Sequence, residues 1–171
     1  MRTLITFIGN SDPETKSGEG PIVAICNTYR IDRAFVFYND GVVDNVTNLQ
    51  KMAAERENLC SFHLVETKEV DLVSAVQLKT FVYKWYQDNR KTLKRDELFV
   101  NTSSGTPAMA AALLFLTISR DLPAKPLLVR HPDKVNEGYE RIEEIPVSGE
   151  GISYVLPMQS PRRVRTLSRD Y

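Results

Sequence analysis

The chain has 171 residues, of which 42% are hydrophobic and 26% charged, as expected for one folded domain that needs no disulfide or metal to complete its core. Basic and acidic residues both number 22, so the formal net charge is zero and long duplex nucleic acid is not an expected partner. No apolar run reaches the ~20 residues that a bilayer span requires. We expect a cytoplasmic protein without a signal peptide.

Cysteine and histidine are too sparse to build a metal site. The two cysteines, Cys26 and Cys60, form no CxxC pair, and the chain has only two histidines, His63 and His131. Isolated cysteines in a cytoplasmic protein are usually small buried side chains rather than disulfides. We therefore expect free thiols, no structural zinc, no metal and no cofactor.

Short apolar runs alternate with longer amphipathic segments along the first 130 residues. Runs rich in β-branched or aromatic residues predict strands at residues 3–8, 33–38, 61–65, 97–101 and 125–130. Apolar residues at steps of three and four predict helices from residue 21 and over 46–58, 72–87 and 107–120. Alternation of this kind indicates an α/β fold, with a Rossmann-like, doubly wound, mostly parallel sheet of strand order about 3-2-1-4-5.

The last part of the chain has a different pattern. Two runs of alternating residues, 139–145 and 152–156, flank a turn and predict a C-terminal β-hairpin at the edge of the sheet. We place the ligand-binding domain at residues 1–157. The remaining segment, 158–171, is rich in arginine, serine and proline and reads as a basic tail or linker.

The turn between the fourth strand and its helix is the strongest candidate site. Ligands of open α/β sheets bind beyond the carboxyl ends of the strands, where a helix entrance offers free N–H groups and partial positive charge. The turn adds three hydroxyls and a glycine, which is more than a single helix cap needs and which suits phosphate. The loop after the first strand emerges beside it in this strand order. The predicted ligand-binding residues are Gly9, Asn10, Ser11, Asp12, Thr102, Ser103, Ser104, Gly105, Thr106, Pro107 and Met109.

Two common nucleotide motifs are absent from the sequence. It contains no G-x-G-x-x-G dinucleotide fingerprint and no G-x-x-x-x-G-K-[ST] phosphate loop. A standard NAD site and a P-loop ATPase are therefore not expected. His131 follows the fifth strand and is expected to be a solvated loop side chain.

Both candidate loops resemble those of a known family. Phe-Ile-Gly-Asn-Ser-Asp-Pro at residues 7–13 and Asn-Thr-Ser-Ser-Gly-Thr-Pro-Ala-Met at residues 101–109 are similar to the motifs of the CRISPR-associated Rossmann fold, or CARF, domain. The second motif is most similar to that of the sensor domains of type III CRISPR ancillary ribonucleases. The resemblance implies a homodimer that binds cyclic oligoadenylate, a ring of 3′–5′-linked AMP units, across its interface.

The resemblance also implies limits on activity. Many relatives have lysine where this chain has Pro107, so little positive charge is available to stabilise a cleavage transition state. Family members usually carry a C-terminal effector domain such as a nuclease, which we do not find in this chain. It reads either as a stand-alone sensor or as an excised domain.

Three functional hypotheses remain open, beside a structural module that binds no ligand. The first is a sensor that binds the ring without changing it. The second is a slow, metal-independent ring nuclease, in which Ser11, Ser104 and Thr106 would position a ribose 2′-hydroxyl for attack on its own phosphate. The third is a phosphosugar isomerase-type domain, because residues 102–106 are similar to its S-x-S-G-x-T loop. Neither the ring size nor the effector can be read from the sequence.

Overall fold

A six-stranded sheet forms the middle of the computed structural model, which describes residues 1–136 and 138–147. The strands of this sheet are β1 (Arg2–Phe7), β4 (Arg33–Tyr38), β5 (Ser61–Glu66), β6 (Glu97–Asn101), β7 (Ala124–Val129) and β8 (Ile142–Glu144). They lie in the order β5-β4-β1-β6-β7-β8, in which the first five are parallel and β8 is antiparallel to β7. The predicted order 3-2-1-4-5, counted over the five long parallel strands, is confirmed.

Strand β1 lies at the centre because its side chains are buried on both faces of the sheet. It pairs with β4 on one side, where Ile5 lies opposite Phe35, and with β6 on the other, where Leu4 lies opposite Phe99. Near-continuous apolar strands of this kind are typical of parallel sheets covered by helices. The connections from β1 and β6 leave in opposite directions, which creates a switch point between them.

Helices cover both faces and divide the apolar interior into two clusters. Helices α1 (Pro21–Tyr29) and α2 (Val43–Glu55) pack on one face, around buried residues such as Ile25 and Leu49. Helices α3 (Ala75–Leu93) and α4 (Pro107–Ile118) pack on the other, around Leu78 and Leu113. Each of α1 and α4 begins with a proline, at the position where a helix needs no N–H.

The structure adds three small elements to those predicted, one of which is a one-turn 3₁₀ helix, Asp40–Val42, between β4 and α2. The loop after β1 contains a two-stranded antiparallel pair, β2 (Glu14–Thr15) and β3 (Gly18–Glu19), and a short helix, α5 (Pro132–Asn136), follows β7. Helix α3 also begins later than predicted, because Ser74 caps it by accepting a hydrogen bond from the Gln77 amide at 3.3 Å. The thiols of Cys26 and Cys60 are both buried and free, as predicted.

Part of the predicted C-terminal region lies outside the described residues. Strand β8 confirms that the region after residue 139 adds to the edge of the sheet. The second predicted hairpin strand at 152–156, the boundary at 157 and the basic tail at 158–171 are not described. Within the described part of the chain, none of the helices has the length and apolar character to cross a membrane.

Candidate functional site

A cleft of about 370 Å³ opens at the carboxyl ends of β1 and β6, at the switch point of the sheet. Its wall is formed by the loop after β1 (residues 8–11), the turn after β4 (Asn39, Gly41 and Val42), Leu72 before α3, and the β6–α4 loop (residues 103–106) with Met109. The two loops selected from the sequence therefore line the same cleft. No Lys, Arg, His, Asp or Glu side chain belongs to the described wall.

Asp12 fixes the loop after β1. Its side chain is buried, and its carboxylate accepts hydrogen bonds from the amides of Gly9 at 3.1 Å and Ile22 at 3.0 Å and from the Ser104 hydroxyl. Burial raises the pKa of Asp12 above its usual value, although these hydrogen bonds favour the charged form. Ile22 lies in the first turn of α1, so Asp12 holds together that helix, its own loop and the β6–α4 loop. Asp12 thus shapes the cleft from behind rather than lining it.

Asn101 plays the corresponding role for the β6–α4 loop. This buried residue ends β6, and its Nδ2 donates to the hydroxyls of Thr6 at 3.0 Å and Ser104 at 2.7 Å. Its Oδ1 accepts from the Ser103 amide at 2.9 Å, as in an Asx turn. The side chain of Ser104 is therefore held between Asn101 and Asp12.

Two further hydroxyls of this loop are directed toward strand β7. Thr102 Oγ1 donates to the Leu127 carbonyl at 2.9 Å, and Ser103 Oγ accepts from the Val129 amide at 2.7 Å. These contacts fix the distance between the loop and the neighbouring strand. Ser103 still contributes to the cleft wall, whereas Thr102 does not.

The entrance to helix α4 is largely satisfied by the chain itself. Thr106 Oγ1 caps the helix by accepting from the Met109 amide at 3.3 Å and donates to the Leu72 carbonyl at 2.9 Å. The Thr106 amide in turn lies 3.3 Å from Met109 Sδ, and Pro107 has no N–H to offer. Thr106 and Met109 line the cleft, while Pro107 lies outside its wall. The free helix entrance that the sequence predicts is thus mostly closed by a cap.

Hydrogen-bond donors remain in the two loops themselves. The backbone amides of Asn10, Ser11, Ser104 and Gly105 have no hydrogen-bond partner among the described residues. The loops touch at Gly9, because a Cβ built there would lie 2.4 Å from the Gly105 nitrogen. Gly105 has a φ of +84°, which favours glycine. A cluster of unpaired amides in a cleft without charged side chains can bind an anion.

Sequence reasoning missed the contribution of the neighbouring strand and of the segment before α3. In the sequence, Asn39 and Gly41 indicate only a turn after the strand predicted at 33–38, yet the carboxyl end of that strand, β4, adjoins that of β1. Asn39 Oδ1 accepts from the Gly41 amide at 2.7 Å and shapes that part of the wall. Their position directly after a third parallel strand could have indicated that they belong to the site. Nothing in the sequence indicated that Leu72 does, because its apolar side chain matches the pattern of a helix core.

Sequence and structure comparisons identify similar proteins. No protein-family model matches the chain. The CRISPR system endoribonuclease Csm6′ of Streptococcus thermophilus is 23% identical over an alignment of 156 residues, which covers 85% of this chain and 39% of that protein. The chain thus spans about two fifths of the length of that curated relative.

Two solved structures have the same fold. Enterococcus italicus Csm6, bound to cyclic hexa-2′-fluoro-hexa-dAMP, matches 100% of this chain and 46% of its own, with a TM-score of 0.72 and 18% identity. Can2 from Sulfobacillus thermosulfidooxidans, in complex with cyclic tetra-adenylate, matches 76% of this chain and 32% of its own, with a TM-score of 0.55 and 11% identity. The expected fold is therefore confirmed.

Proposed function

We propose that this chain, a CARF-like domain, is a cytoplasmic sensor of cyclic oligoadenylate in type III CRISPR defence. The observation that carries the proposal is the cleft at the carboxyl ends of β1 and β6, with unpaired amides on both of its loops. Two solved proteins of the same fold hold cyclic oligoadenylates or an analogue. The sequence comparison leads independently to a CRISPR protein.

The chemistry of the cleft suits a phosphodiester. Each linkage carries one negative charge, which backbone amides can bind without a lysine or arginine when several converge. The exposed side chains of Asn10 and Ser11 have no hydrogen-bond partner within the described chain and are available to ribose hydroxyls or adenine edges. Their loop is fixed by Asp12, so little ordering is required when the ligand binds.

A second copy of the chain completes the site in this proposal. The cleft of about 370 Å³ is at the small end of ligand pockets and holds only part of a ring of several nucleotides. Beside Leu72 in its wall, Val73 and Val76 leave 79% and 73% of their surface exposed. Apolar surface of this kind at a binding site is typical of a protein interface. An even-numbered ring can share the two-fold axis of a symmetric dimer.

Titration calorimetry with rings of three, four and six adenylates tests this function. We expect at least one ring to bind wild-type protein, and Asn10→Ala to weaken that binding at unchanged thermal stability. Asn58→Ala is the matched control, since Asn58 is exposed in the turn before β5. That turn lies at the amino-terminal end of the parallel strands, whereas the cleft lies at their carboxyl ends. A rise in melting temperature with glucosamine-6-phosphate, but with none of the rings, would favour the phosphosugar hypothesis. Failure of all three rings to bind would refute the proposal.

Ring cleavage is the second candidate function, and one observation favours it. Ser11 lines the cleft, and its hydroxyl has no partner among the described residues, whereas those of Ser104 and Thr106 are committed to the fold. Cleavage also requires stabilisation of charge in the transition state, for which the wall offers only amides. Incubating a labelled ring with the protein tests for cleavage. Linear products with 2′,3′-cyclic phosphate ends would establish the nuclease if wild-type protein forms them and Ser11→Ala does not.

A further inference from the structure

A second, smaller cavity adjoins the cleft on the side of β7. This cavity of about 180 Å³, here called the basic hollow, lies between the β2–β3 pair and the turn after β7. It shares Ser11 and Ser103 with the cleft, and its wall contains Arg130, His131 and Arg141 together with one carboxylate, that of Glu19. A ligand that extends past Ser103 therefore meets two arginine side chains, which the cleft wall lacks.

Arg141 is the cation of the basic hollow without a carboxylate partner. Its side chain is half-buried, and its guanidinium donates to the carbonyl oxygens of Arg130 and Glu19. No carboxylate in the described part of the chain forms an ion pair with it: Glu19, in the same wall, pairs with Arg56 at 3.1 Å, and Glu143 pairs with Arg130. Burial lowers the pKa of Arg141, and the nearby charge of Glu19 opposes this shift. A partly buried cation of this kind is stabilised by an added anion.

The opposite side of the cleft carries the opposite charge. A cavity of about 490 Å³ there, the acidic hollow, shares Asn39 and Leu72 with the cleft. Its charged side chains are three carboxylates and one lysine: Asp40, Glu66, Glu69 and Lys68. An anion that extends beyond the cleft is therefore repelled from the β5 side and attracted to the β7 side.

We propose that the basic hollow is a second phosphate subsite, in which Arg141 binds a phosphate of the same ligand whose neighbouring part occupies the cleft. The inference rests on the proposed function and specifies the direction in which the ligand runs, from the β1 and β6 loops past Ser103 toward the end of β7. The two bonds from Arg141 to backbone carbonyls hold its guanidinium in place before the ligand arrives, so binding costs little side-chain entropy.

The salt dependence of binding separates this subsite from the amides of the cleft. We would titrate the ring that binds wild-type protein most tightly, at about 50 mM and about 200 mM salt. Arg141→Gln should weaken binding about tenfold, as the loss of a charge-assisted hydrogen bond implies. It should also make the slope of log K against log salt shallower by about 0.7, the value for one phosphate contact of a single strand. Arg95→Gln, an exposed arginine in the turn before β6, is the matched control and should change neither.

The outcomes distinguish the two proposals. If the rings bind wild type but Arg141→Gln matches it in affinity and slope, the subsite is refuted and the proposed function stands. If no ring binds wild-type protein, the proposed function and the subsite are both refuted. Should Arg141→Gln fail to fold, His131→Glu replaces it, because exposed His131 lines the same hollow and an added carboxylate there would repel a bound phosphate. Wild-type affinity in His131→Glu would then overturn the subsite.

Discussion

Replacing Gly9 by alanine should separate the two loops of the cleft. A Cβ at this position would lie 2.4 Å from the Gly105 nitrogen, 3.1 Å from its Cα and 3.4 Å from the Ser104 carbonyl carbon. All three are backbone atoms, so no side chain can rotate away. Overpacking of this kind costs about 1–3 kcal/mol of the free energy of unfolding. In a domain of 171 residues, that corresponds to a fall of roughly 2–12 °C in melting temperature.

Thermal unfolding and ring titration measure the two effects of Gly9→Ala. Gly41→Ala is the control for stability, since neither glycine has a positive φ and a Cβ at Gly41 would meet only the movable side-chain oxygen of Asn39, at 2.9 Å. We expect Gly9→Ala to melt lower than Gly41→Ala and to bind the ring more weakly than wild type. A Gly9→Ala protein with wild-type melting temperature and affinity would show that the close approach of the loops is unimportant.

Two further predictions concern stability. Although burial raises the pKa of Asp96, the hydrogen bonds from Thr3 at 2.6 Å and Arg33 at 2.7 Å outweigh it and hold the pKa below its usual value. This carboxylate therefore stabilises the fold above the pKa of an unfolded aspartate, and the contribution is lost as pH falls through the folded pKa. Asp96→Asn should melt lower than wild type at pH 7, with a difference that shrinks in acid; a constant difference would contradict the assignment. Thr106→Ala, which removes the cap of α4 and the bond to Leu72, should cost about 0.5–2 kcal/mol in denaturant unfolding, and an unchanged midpoint would refute the role as a cap.

The strands were the most predictable part of the fold. The predicted ranges 33–38 and 97–101 coincide with β4 and β6, because each is an apolar run closed by polar or turn-forming residues. The alternation with helices predicted a doubly wound parallel sheet, and the order 3-2-1-4-5 is the Rossmann-type arrangement expected for such a sheet. These signals are local or topological, so a single sequence contains them.

The start of α3 shows where local pattern fails. Val73 and Val76 match the helical spacing of the buried positions that follow them, so the sequence predicts both on the apolar stripe of the helix at 72–87. In the structure the helix begins at Ala75, and both valines are largely exposed. The capping serine, Ser74, indicated the later start, but periodicity alone does not distinguish a core position from apolar surface at the rim of a cleft.

The candidate site was located by sequence, but its chemistry was not. Strand order placed the two loops together, and the structure confirms that they share a cleft. The partners of the hydroxyls depend on contacts between distant segments, such as Thr102 with Leu127 and Thr106 with Leu72. Hydroxyls expected to face a ligand instead hold the loop, and backbone amides remain as donors. Arg141 lies in the segment predicted to join the edge of the sheet, but its bond to the distant Glu19 carbonyl has no signal in the sequence.

Amide chemical shifts give the most direct test that the loops of the cleft bind the ligand. In ¹H–¹⁵N spectra recorded during titration with cyclic hexa-adenylate and cyclic tetra-adenylate, we expect the largest changes at Asn10, Ser11, Ser104 and Gly105, whose amides have no partner in the described chain. The Asn58 amide, at the other edge of the sheet, should not move. A ring that binds while these four amides remain unchanged would contradict the account.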